Sequence, residues 1–185
     1  MLCAATDLPV NADFENGFAG APEDVAANVT RAFATGIAGV SIEDQHGGQL
    51  CAFDLAVARI EAARAAIDAS GADVMLVART EGRLWDLSTP EDARARLVAF
   101  AEVGADVLYA PGVKYPAEIV AIVAAVQPKP VNVLLINADM RVTELAKLGV
   151  RRVSTGGALA NAAWRGFDKA AAALAAPAGL DTVSP

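Results

Sequence analysis

The sequence predicts a parallel α/β protein of about six strand–helix units, either six of the eight of a β/α TIM-type barrel or an open doubly wound sheet. Three observations carry that prediction. Short apolar, β-branched runs alternate six times with longer Ala-rich stretches. The runs are nearly unalternated, as strands buried on both faces are. Glycines recur where a helical stretch gives way to the next strand, as in TGIAGV, VGADVL and LGVRRV.

Taken in chain order, the strand candidates are residues 8–13 (LPVNAD), 38–44 (AGVSIED), 73–80 (DVMLVART), 106–111 (DVLYAP), 130–136 (PVNVLLI) and 151–156 (RRVSTG). Between and after them, apolar residues recur at helical spacing. The stripes are Val25, Val29 and Ala32; Val57, Ile60 and Ile67; Ala93, Leu97 and Phe100; Ile119, Ile122, Val123 and Val126; and Leu159, Ala163, Ala170 and Leu174. All five are expected to pack on one sheet. Pro22 with Glu23 and Asp24 marks one helix start, and Ser88-Thr89-Pro90 with Glu91 and Asp92 another. A hydroxyl cap and early acids there complement the helix dipole. Gly36, Gly71, Gly104 and Gly149 mark helix ends.

Six units in 185 residues leave about 30 residues each, whereas a closed eight-unit barrel typically takes about 250. Two units are therefore expected to be missing. An open doubly wound sheet of six strands has the same rhythm, so periodicity leaves that alternative open. Residues 1–176 are read as a single partial barrel domain and residues 177–185 (PAGLDTVSP) as a flexible tail.

Composition bounds the function. Hydrophobic residues make up 55% against 20% charged, which describes a globular chain and not a disordered one. No apolar run reaches the roughly 18 residues that cross a bilayer, and the start has no basic, signal-like segment. A cytoplasmic protein is expected, with no membrane partner. The two cysteines, Cys3 and Cys51, imply no disulfide framework. A net charge of −7 without a basic stripe argues against nucleic acid. It leaves room for a small anionic substrate, because a bound cation and an arginine can reverse the field inside a cleft.

In either parallel architecture the reacting groups gather at the carboxyl ends of the strands. Asp13, Glu15, Glu43 and Asp44 place four carboxylates there. Such a group repels itself unless a cation sits among it, and oxygen-only ligands favour Mg2+ or Mn2+ with waters retained. The competing reading is that these acids cap helices or lie solvated in loops. Arg79 could grip a carboxylate or phosphonate bidentately, or close an internal salt bridge to Glu43 or Glu81. Asn132, on the fifth strand, is taken with Arg79 as a substrate-binding candidate. Gly156 and Gly157 offer bare N–H groups to an anion, or serve turn geometry alone. His46 lies beside two glycines in the segment HGGQLC, read as a loop, and is expected to be solvated.

These residues bring out a family pattern. PVNADFENGF, GVSIEDQ, VARTEG, GADVLYAPG and PVNVL stand in the order found in the isocitrate lyase/phosphoenolpyruvate mutase superfamily, which the chain resembles from about Leu8 to Leu174. The resemblance implies that Asp13, Glu15 and Glu43 hold Mg2+ directly or through water, with Glu15 standing where the family has Asp. It implies that Arg79 contacts the substrate's anionic group. The lyase branch uses a cysteine as general acid/base, and Cys51 falls at that position. Its neighbours are Gln49-Leu50 and Ala52-Phe53, so the flanking cations and the family's histidine are absent. A thiol packed under the following helix is the competing role for Cys51.

The implied activity is that of a Mg2+-dependent enzyme acting on a small α-oxo acid or phosphonate by C–C or P–C bond chemistry. The rivals are a catalytically silent remnant serving as a metal-binding or assembly module, and another phosphate-handling barrel that grips through Gly156-Gly157. Family barrels carry further units before the metal motif and commonly exchange the last helix between subunits. Together with two edge strands, this implies a homo-oligomer.

Overall fold

The computed structural model describes residues 2–137 and 139–175. After a 3-10 turn at Leu2–Ala5 come β1 (Asn11–Asp13), α1 (Pro22–Phe33), β2 (Gly39–Glu43), β3 (Gln45–His46), β4 (Gln49–Leu50) and α2 (Phe53–Ser70). Then follow β5 (Met75–Arg79), a 3-10 turn at Glu81–Arg83, α3 (Pro90–Glu102), β6 (Val107–Tyr109), α4 (Pro116–Val126), β7 (Val131–Leu134), α5 (Val142–Lys147), β8 (Arg152–Ser154) and α6 (Ala158–Ala175).

One six-stranded sheet runs in the order β1-β2-β5-β6-β7-β8, and β3 pairs with β4 in a separate hairpin. The pairs from β1 through β7 are parallel. Each strand lies beside its chain neighbour and the order never reverses. That is the winding of a barrel segment; a doubly wound sheet reverses at a switch point. Periodicity left this choice open, and strand order decides it.

The sheet has two faces because successive side chains alternate. Val40, Ile42, Leu76, Ala78, Leu108, Val131 and Val133 face the helices. There they join Val25 and Val29 of α1, Ile60 and Ile67 of α2, Leu97 and Phe100 of α3, and Ile119 and Ile122 of α4 in the main core. Each fully buried aliphatic side chain of this kind contributes roughly 1.5 to 3 kcal/mol. Ser41, Glu43, Val77, Arg79, Val107 and Tyr109 alternate onto the other face, where Val77, Val107 and Tyr109 form a second small cluster with Leu134 against it.

Local chemistry explains the boundaries. The Thr89 hydroxyl accepts from the Asp92 N–H at 3.1 Å and caps α3. Gly71, at φ 65°, closes α2 in the left-handed region. β1 begins only at Asn11, because Pro9 has no N–H to give and Leu8 is solvent-exposed.

Two expectations need correction. The segment HGGQLC is no open loop: it contains the β3–β4 hairpin, turned at Gly47 and Gly48, both with positive φ. Such a two-residue turn admits glycine at both positions without steric cost. A sixth helix, α5, fills the β7–β8 connection and buries Leu145. The chain divides into two compact units between Val153 and Ser154, and the expected tail at residues 177–185 lies outside the described residues. Within the second unit α6 has no buried residue, and Leu159 and Leu174 are exposed. Among the described residues no helix is long and apolar enough to cross a membrane.

Candidate active site

Strand register builds the site. Glu43 pairs with Arg79, Arg79 with Tyr109, and Tyr109 with Asn132, so four side chains stand in one row across β2, β5, β6 and β7. Asp13, the last residue of β1, pairs with Ser41 one step below. Asn132 is buried at 1% exposure.

Arg79 is the hub. Its Nη1 donates to Asp13 Oδ1 at 2.8 Å, and its Nη2 lies 3.3 Å from Glu43 Oε2. Nε and Nη2 both reach Glu81 Oε1 at 2.9 Å. The guanidinium carbon sits 5.2 Å from the centre of the Tyr109 ring. The salt bridges weighed from sequence are thus real, and Asp13 joins them. They hold the guanidinium among the acids and do not remove it from the site.

Behind this hub runs a buried polar chain. The Glu81 N–H donates to Asp44 Oδ1 at 2.9 Å, and Arg96 Nη1 donates to Asp44 Oδ2 at 3.2 Å. Arg96 Nε reaches Asp92 at 3.1 Å. Asp44 faces inward and belongs to this support; it does not stand with the solvent-facing acids. Burial pushes the Asp44 carboxyl up, against the opposing Glu81 N–H, Thr80 and Arg96. Burial also pushes Glu81 up to about 7; Arg79 opposes the rise, and the charges of Glu43 and Asp44 add to it.

The turn after β1 is tied on several sides. Glu15 and Phe18 take positive φ values of 45° and 53°, strained for non-glycine residues. The Glu43 N–H donates to the Glu15 carbonyl at 2.8 Å, and Asn28 donates to the Gly17 carbonyl at 2.9 Å. These bonds keep Glu15 beside Glu43. A cleft of about 410 Å³ is lined by Glu15, Asn16, Glu43, Gln45 and His46, among others. Glu43 is raised by burial first, opposed by Arg79, and raised further by Asp13, Glu15 and Asp44.

Among the described residues no three acids, histidines or cysteines are grouped as metal ligands as they stand, and Arg79 lies between Asp13 and Glu43. The donor chemistry nonetheless fits a hard divalent cation. The acids are oxygen donors and repel one another, Asp13, Glu15 and Asp44 each raising Glu43.

Cys51 is placed differently from its expected surroundings. Its sequence neighbours are uncharged, yet Arg59 of α2 donates from Nη1 to Sγ at 3.2 Å. Arg59 is 2% exposed, and its Nε and Nη2 have no hydrogen-bond partner among the described residues. Cys51 packs partly against the main core and lines a second cleft with Ser88, Asp92 and Arg96, one that shares no residue with the cleft of Glu15 and Glu43. Gly156 and Gly157 open α6 in the second unit, where the Gly157 carbonyl accepts from the Asn161 N–H at 2.8 Å.

Sequence reasoning did not single out Asn16, Arg59, Arg96 or Tyr109. Tyr109 was within reach, since it ends a strand in the same way as Arg79. The two arginines lie on helix faces otherwise read as apolar, and nothing local marks a buried arginine.

The fold and the site define a β/α-barrel-type protein whose strand ends gather acids around an arginine. A family model described as phosphoenolpyruvate phosphomutase matches residues 1–175, and the chain belongs to that family. Oxaloacetate decarboxylase of Paraburkholderia xenovorans strain LB400 is 35% identical over 157 residues, 80% of this chain and 50% of that protein. A solved structure from Burkholderia cenocepacia J2315, named as a candidate lyase/mutase, has 43% identity and a TM-score of 0.92, covering 100% of this chain and 69% of that one. Oxaloacetate acetylhydrolase in complex with oxalate has 26% identity and a TM-score of 0.82, covering 96% of this chain and 64% of that one. The relatives are lyases and mutases. The chain spans about half the length of the curated relatives it matches.

Proposed function

We propose that this chain forms the catalytic face of a divalent-metal-dependent enzyme that makes or breaks a C–C or P–C bond next to the carbonyl of a small α-oxo acid. The observation that carries the reading is the contact of Arg79 with both Asp13 and Glu43 at the ends of three neighbouring strands. Asp13, Glu15 and Glu43 would hold Mg2+ or Mn2+, directly or through water. When bound, the cation supplies positive charge beside the substrate oxygen on which negative charge grows.

Arg79 meets the substrate's anionic group. Glu81 and Tyr109 hold the guanidinium in place while its Nη edge, now spent on Asp13 and Glu43, turns to the ligand. Asn132 stands in the same row and contacts the substrate. Two relatives carry oxaloacetate in their names, which makes oxaloacetate the first substrate to assay. The enzyme works in the cytoplasm, with two free cysteines, as a homo-oligomer.

The deciding experiment is thermal melting with Mg2+ and oxalate. A rise in melting temperature that is lost in Asp13→Ala is expected. No rise at millimolar concentrations would leave a silent assembly module. Protection by inorganic phosphate without metal would point instead to a phosphate-gripping barrel.

A further inference from the structure

His46 is the chain's single histidine, and none of the roles above uses it. It sits on β3, three residues beyond Glu43, on the wall of the cleft that also holds Glu15 and Glu43. Its Nδ1 lies 2.7 Å from Asn16 Nδ2. The orientation of the Asn16 amide follows from its other bond, because its Oδ1 accepts from the Phe18 N–H at 3.0 Å. The nitrogen of that amide therefore faces the ring, and an amide nitrogen only donates. His46 Nδ1 must accept, which puts the ring proton on Nε2.

Asn16 is itself only 9% exposed, in a turn tied to β2 and α1. The tautomer is thus set by a framework, not by a mobile side chain. The hairpin also separates two roles. Cys51, directly after it, accepts from Arg59 at its sulfur and lines the other cleft. In the cleft of the acids the β2–α2 segment presents Gln45 and the ring of His46.

We propose that His46, held by Asn16 as the Nε2–H tautomer, donates a hydrogen bond to an anionic oxygen of the substrate bound in the cleft it shares with Glu15 and Glu43. The inference rests on the proposed function for the identity of that oxygen, a carboxylate or carbonyl oxygen of an α-oxo acid. A donor fixed beforehand suits an oxygen on which charge grows, because nothing need reorganise during reaction.

A lone histidine makes the test clean. Nitrogen NMR of ring-labelled protein is expected to show the Nε2–H tautomer, and its loss as the sole form in Asn16→Ala. Titration with Mg2+ and oxalate should move the His46 ring resonances. His46→Ala should weaken oxalate binding roughly tenfold, the usual worth of a hydrogen bond to a charged group. His46→Gln, which keeps an N–H at the Nε2 position, should recover most of the loss. An Nδ1–H tautomer, or oxalate binding that leaves the ring untouched, overturns the inference while the proposed function stands. Absence of any oxalate binding overturns both.

Discussion

Glu81 is 3% exposed and shares both the Nε and Nη2 of Arg79 on one oxygen, yet burial outweighs that pairing and its carboxyl titrates at about 7. Its folded value lies above the ordinary 4.5. Between those two values the folded chain holds a proton that the unfolded chain has lost, so stability falls as pH rises through about 7. Glu81→Gln removes that titration. Melting temperatures taken from about pH 5 to about pH 8 should drop less in the variant than in the parent. Some drop should remain, because Glu43 and Asp44 are raised as well. Equal drops would mean that the Glu81 proton is not coupled to folding. Asp13, Glu43 and Arg79 were legible from sequence because each ends a strand, and strand ends share one side of a parallel sheet. Arg59 was not, since its burial depends on what α2 lies against.

At the scale of elements, capping and turn chemistry carry the clearest predictions. Thr89→Ala should cost about 1 kcal/mol by urea unfolding, the usual worth of a hydroxyl cap, because it strips the acceptor from the Asp92 N–H. Gly112 links β6 to α4 with φ 90° and passes so close to the turn carrying Glu81 that a Cβ would lie 2.5 Å from the Arg83 carbonyl oxygen. Gly112→Ala adds left-handed strain to a clash with backbone, roughly 2 to 5 kcal/mol in all. A variant as stable as the parent would show that this turn can shift. The β3–β4 hairpin and α5 escaped the sequence reading for a common reason. Two residues per strand, or one buried leucine in a helix of six, are too few to show a period.

For the whole molecule, the sheet ends at β1 and β8, and α6 carries Leu159, Trp164, Phe167 and Leu174 exposed. Trp164 and Phe167 meet edge to face, their ring centres 5.8 Å apart. Apolar surface of this kind is covered in stable proteins, and open strand edges invite pairing. Sedimentation equilibrium should therefore give a mass above one chain, and Phe167→Glu should shift it toward the monomer. A parent already monomeric at tens of micromolar would count against association through α6.

By itself the sequence determined the six strands, the faces that α1 to α4 bury in the core, and the acids and arginine at the strand ends. All of these are written in spacings of ten residues or fewer. Only tertiary structure decided the unreversed strand order, the seat of Arg79 among Asp13, Glu43 and Glu81, and the parting of His46 and Cys51 into different clefts. Those depend on register between strands far apart in the chain and on which face of the hairpin each side chain takes. A one-residue slip, which leaves local periodicity intact, would reverse them.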